Sequence, residues 1–102
     1  MPRTLSVSRV RVPLLRQAEW LETIGAFAAR LKVRGQHVWV FQSEVDNDLW
    51  LEFSESVDRA SHRYVAKLSD EEHELDKKLR TLAKYEKDAG VLWVEFPLTK
   101  DP

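Results

Sequence analysis

A chain of 102 residues has room for one hydrophobic core and not for two, so it is read as a single domain spanning residues 1–102. Hydrophobic residues at 43% and charged residues at 32% are ordinary globular proportions and argue against a disordered or fibrous chain. Sixteen basic residues against seventeen acidic ones, with no cysteine, offer no excess positive charge for a nucleic acid backbone and exclude disulfides, thiolate metal sites, iron–sulfur clusters and a cysteine nucleophile.

From Thr4 to Val12 the residues alternate as a strand does, Leu5 and Val7 on one side and Val10 and Val12 on the other, until Pro13 ends the ladder. Trp20, Leu21, Ile24, Phe27, Ala28 and Leu31 then recur at spacings of three and four, which predicts a helix over 17–32 stopped by Gly35. No Ser, Thr, Asp or Asn stands before it as a cap. His37–Val45 and Leu49–Ser54 are strand-like runs separated by Asp46-Asn47-Asp48, residues that tolerate a tight turn, so they form a hairpin. A loop of two or three residues would each fit, and a slip of one exchanges the faces of one strand.

Val57, Ala60, Tyr64, Val65 and Leu68 fit a short helix, with a strand over 62–68 as the alternative. Ser69-Asp70-Glu71-Glu72 is a capping-box sequence opening a second long helix, its buried stripe Leu75, Leu79, Leu82 and Tyr85 and its stop Gly90. Val91–Phe96 is the last strand, placed at a sheet edge by Pro97, and 99–102 form a frayed end. No apolar run approaches the length of a signal peptide core or of a membrane span, so the expected location is the cytoplasm.

The order strand, helix, strand, strand, helix, strand is that of a ferredoxin-like α+β fold, an antiparallel sheet with both helices on one face and the first and third strands central. With Leu49, Leu51 and Phe53 facing the helices beside Val38, Val40, Leu92, Val94 and Phe96, the open face carries Trp39, Phe41, Trp50, Glu52, Trp93 and Glu95, joined by Leu5, Val7, Arg9 and Arg11. Three tryptophans in water exceed what a monomer ordinarily exposes, and a second copy of the chain is the simplest cover.

Arg9, Arg11, Trp39, Trp50, Glu52, Trp93 and Glu95 are therefore the candidate ligand-binding group, since aromatic walls with a few convergent charges suit a small planar molecule. Interface packing and cross-strand ion pairs are the more ordinary account of the same residues, since interfaces are enriched in these residue types. Among the histidines, His62 is the candidate catalytic base; His73, in an acidic first helical turn, reads as a solvated surface residue, and no pair has metal-ligand spacing. Gly25, Gly35 and Gly90 stand singly, so there is no phosphate loop, and no Gly-x-Ser-x-Gly occurs. No metal and no cofactor are expected.

The element order, the length and the run Leu49-Trp50-Leu51-Glu52-Phe53 leading into a short helical segment resemble the dimeric α+β barrel superfamily, nearest to its antibiotic-biosynthesis-monooxygenase type of domain. That resemblance implies a homodimer with sheets face to face, a cavity between sheet and helices, and company that includes cofactor-independent oxygenases of polycyclic phenols and haem-degrading enzymes. Haem degraders of the group rely on an Asn in the first strand with a Trp and a His; here the only Asn is Asn47 in the hairpin, and only His62 fits the His part. The functional expectation is a homodimeric domain that binds a small aromatic or apolar molecule or serves a structural or sensory role. The alternatives are a cofactor-independent monooxygenase of an electron-rich aromatic and an adaptor for a partner protein.

Overall fold

The computed structural model describes residues 2–98, which leaves the end expected to fray, 99–102, outside the described part. Strand β1 (Thr4–Arg11) pairs antiparallel with β3 (Leu49–Ser56), and β3 pairs with β2 (His37–Gln42). On its other edge β1 meets two short pieces, β4 (Lys84–Tyr85) and β5 (Leu92–Val94). The sheet therefore runs β2-β3-β1 and then β4 and β5, with β1 and β3 central as the order of elements predicts.

Helix α1 (Gln17–Val33) buries Trp20, Thr23, Ile24, Phe27 and Leu31, while Leu21 is 40% exposed. In place of a side-chain cap, a 3-10 turn over Leu14–Arg16 leads in. Gln17 Nε2 then bonds the Val12 and Asn47 carbonyls at 3.1 and 2.8 Å, tying the helix start to the hairpin loop. At its end Gly35, at φ +76°, lets the Gly35 and Gln36 amides return to the Lys32 and Leu31 carbonyls. Helix α2 (Asp70–Leu82) opens on the predicted capping box, the Glu72 amide donating to Ser69 Oγ and the Ser69 amide to Glu72 Oε1. Glu72 also accepts both Arg34 nitrogens at 2.9 Å, which fastens the start of α2 to the end of α1. Burial would raise this carboxyl, but the Ser69 amide and the Arg34 charge outweigh it and hold it below the usual range.

Four expectations need correction. The hairpin loop is six residues, 43–48, because Ser43 Oγ accepts the Val45 and Asp46 amides and ends β2 early. Pairing His37 with Glu55 and Gln42 with Trp50 then turns Trp50, Glu52 and Ser54 toward the helices and Leu49, Leu51 and Phe53 to the open face. Residues 57–68 form neither helix nor strand but a series of turns. Finally, α2 stops at Leu82 and not at Gly90: Ala83 is extended, at φ −146° and ψ 157°. Tyr85 becomes a strand residue opposite Val10, and the last strand is two short pieces joined by turns over 86–91.

Candidate functional site

The inner face of the two central strands changes character along its length. Val10 faces Trp50, and this end packs on Trp20, Phe27, Leu31, Leu79 and Leu82 as the apolar core. The other end is three facing polar pairs, Thr4 with Ser56, Ser6 with Ser54 and Ser8 with Glu52, each of these six residues at most 3% exposed. Polar side chains this deep need partners.

Much of that need is met by the segment 57–69, which lies over the polar end. His62 Nε2 donates to the Ser54 carbonyl at 3.1 Å and its Nδ1 accepts the Tyr64 amide at 3.2 Å. Arg63 Nη1 donates to Glu52 Oε2 and to Ser54 Oγ, both at 3.0 Å, and Nη2 to Asp76 Oδ1 at 3.3 Å. The guanidinium stands 4.7 Å from the Phe27 ring centre and 4.8 Å from that of Tyr64. Tyr85 donates to the second Glu52 oxygen at 2.8 Å and accepts Trp20 Nε1 at 3.4 Å. Burial alone would lower Arg63, but Glu52 and the neighbouring acids hold its guanidinium above its ordinary range. Burial and the Glu52 charge push the Tyr85 phenol up.

Among the described residues, four buried polar atoms lack a well-formed protein hydrogen bond, Thr4 Oγ1, Ser6 Oγ, Trp50 Nε1 and Tyr64 Oη, although the Ser8 hydroxyl lies close enough to Tyr64 Oη to favour its ionised form. Three of them are hydroxyls at the polar end or on the segment above it. The indole of Trp50 is packed against Trp20, ring centres 5.3 Å apart, and its N–H can only donate.

The seven residues proposed to share one site divide between two faces. Trp39 and Trp93, 45% and 61% exposed, lie on the open face with Arg9. Arg11 is there too, but held by Asp46 at 2.8 Å and Asp48 at 2.9 Å. Glu95 pairs with Arg3 at 2.8 Å at the corner beside Trp93. Trp50 and Glu52 lie on the opposite side of the sheet, for the register reason given above. His62 is fully buried with both ring nitrogens bonded to backbone, so its free base site is gone and its role is to clasp the segment to β3. Arg63, Tyr64, Asp76 and Tyr85 were missed; the one signal in sequence was an arginine and a tyrosine adjoining His62 in an irregular stretch.

Burial pulls the His62 imidazole below its ordinary value of 6.5. The folded state then resists a proton that the unfolded chain accepts, so stability is unaffected above pH 6.5 and falls as pH drops below it, until the folded value is reached. A slope of up to about 1.4 kcal/mol per pH unit is expected below pH 6.5. His62→Gln should flatten it in urea melts taken across that range; an unchanged slope would assign it to other groups.

No family model matches the chain, and no curated protein matches it. Solved structures do. SnoaB, a cofactor-independent oxygenase from Streptomyces nogalater, superposes with a TM-score of 0.73 at 15% identity over 98% of this chain and 97% of its own. A Bordetella bronchiseptica protein assigned by name to the antibiotic biosynthesis monooxygenases gives 0.70 at 13% identity, over 97% of this chain and all (100%) of its own. A conserved Bacteroides thetaiotaomicron protein of unknown function, with a suggested oxidoreductase role, gives 0.71 at 14% over 92% and 96%. The resemblance drawn from the sequence therefore holds at the level of fold: the chain shares the ferredoxin-like α+β fold of these structures.

Proposed function

We propose that the protein is a homodimer that binds a small aromatic molecule inside each subunit, between the polar end of the sheet and the segment 57–69. The observation that carries this is the set of buried side-chain atoms left without a protein partner, Thr4 Oγ1 and Ser6 Oγ foremost. Such groups weaken a fold that has no use for them and strengthen binding when a ligand supplies the missing bond. The open-face residues Trp39 and Trp93 then belong to the contact between copies, and Trp50 and Glu52 to the ligand's side of the sheet.

Ser6→Ala separates a binding role from a packing one. Removing an unpaired buried hydroxyl should leave the unfolding midpoint unchanged or raise it, while binding of 1-naphthol, followed by calorimetry, weakens about tenfold, the equivalent of ~1.4 kcal/mol. Loss of stability with unchanged binding would sink the proposal. The likeness to SnoaB favours a second reading, oxygenation of an electron-rich aromatic without a cofactor; consumption of dissolved oxygen by the bound phenol would distinguish that enzyme from a binder.

A further inference from the structure

Between β3 and α2 the chain runs for thirteen residues, 57–69, without helix or strand, a length at which an irregular segment of a compact domain usually carries function. This segment sets a full charge inside the protein, since Arg63 is 3% exposed. The planes near its guanidinium are the Phe27 and Tyr64 rings, at 4.7 and 4.8 Å. Its N–H edge meets Glu52 and Ser54 at 3.0 Å and Asp76 at 3.3 Å. Aromatic surfaces toward the plane and oxygen acceptors along the edge are the features that recognise a planar cation. The chain's own arginine occupies such a slot.

Charge decides what else could sit there. Asp76 has a second cation in Arg80, at 3.5 Å. Glu52 is fully buried and, among the described residues, has beyond Arg63 only the Tyr85 hydroxyl. A neutral ring replacing Arg63 would leave a carboxylate buried and uncompensated, whereas a cation with N–H donors along its edge would not. We infer that the slot beneath segment 57–69 binds a planar cation of the amidinium or guanidinium class, and that Arg63 is an internal stand-in which this ligand displaces as the segment lifts. The inference rests on the small-molecule reading above and adds to it a second ligand class, one that enters by displacing Arg63, whereas a neutral aromatic such as 1-naphthol leaves Arg63 on Glu52. Because Arg63 is tethered, it competes at high effective concentration, so the wild-type protein binds more weakly than one lacking the arginine.

Benzamidine is a suitable probe and benzamide its neutral isostere, each titrated into ¹⁵N-labelled protein while the Arg63 Nε–H signal and the amides of 57–69 are followed by NMR. Benzamidine should bind the wild type saturably and shift the Arg63 signal, with benzamide at least tenfold weaker. Arg63→Ala should bind benzamidine at least tenfold more tightly and gain unfolding midpoint from it, and adding Glu52→Gln should abolish the preference for the cation. Benzamidine binding to Arg63→Ala but not to the wild type would make Arg63 a permanent strut and overturn the inference. Equal affinity for the two probes would remove the cation class and leave the small-molecule reading standing, as would binding of 1-naphthol without benzamidine. If nothing binds, both fall together. Should Arg63→Ala not fold, the wild-type comparison of the two probes decides alone.

Discussion

Arg63→Leu is expected to cost about 3–5 kcal/mol of folding stability, because it leaves the Glu52 carboxylate buried without its cation. Both partners are essentially out of water, at 1% and 0% side-chain exposure, so solvent cannot take over the lost interaction. A domain of this size has only about 5–15 kcal/mol in total, and urea melts would show the variant near the edge of folding. Glu52→Leu combined with Arg63→Leu should recover most of the loss, since an apolar pair in the same space has no charge to compensate. The two changes would then be non-additive by roughly 2–3 kcal/mol. Additive losses would mean that the pair is not coupled as the geometry has it.

Trp39→Glu should dissociate the proposed dimer. On the open face Trp39 sits beside Phe53, Phe53 meets Phe41 edge-on with ring centres 5.4 Å apart, and Trp93 lies beyond Leu5. Their exposed aromatic surface is what a partner would cover. Truncating a central aromatic anchor costs roughly 2–4 kcal/mol of association, and a charge in its place costs no less, so dimer affinity should drop about 30- to 1,000-fold. Light scattering at micromolar concentration should give twice the chain mass for the wild type and the chain mass for Trp39→Glu. Leu15→Glu, at a fully exposed position (100%) in the 3-10 turn, should change nothing. A monomeric wild type would leave the face to a different protein and revive the adaptor reading.

How far the sequence could be read depended on whether local pattern and tertiary demand agreed. The capping box at Ser69 and the stripe Trp20, Ile24, Phe27, Leu31 were legible because the same residues satisfy both the helix and the core. The register of β3 was not. Leu49, Leu51 and Phe53 are the more apolar side of that strand, and pattern alone turns them inward; yet the inner face receives Trp50, Glu52 and Ser54, because a polar segment with Arg63 and His62 covers it. Tyr85 misled for a similar reason. It lies three residues beyond Leu82, in step with the helical stripe, but its hydroxyl bonds Glu52 from a strand opposite Val10. The candidate site was thus half visible: its residues Trp50 and Glu52 were picked out, while the arginine that completes it comes from a stretch with no periodicity to read.

The division of the last strand into β4 and β5 has a consequence for how these molecules can associate. The two pieces are two and three residues long, and the chain between them turns away after the Glu86 amide bonds the Arg9 carbonyl. Such an interrupted border gives an incoming strand no continuous row of amides and carbonyls to copy. The opposite border, β2, is an unbroken run of six residues. A sheet that can be extended on one side only joins a single neighbour and then has no free side left. Edge-to-edge pairing between single chains therefore closes at two, where a sheet open at both borders could propagate into a fibre.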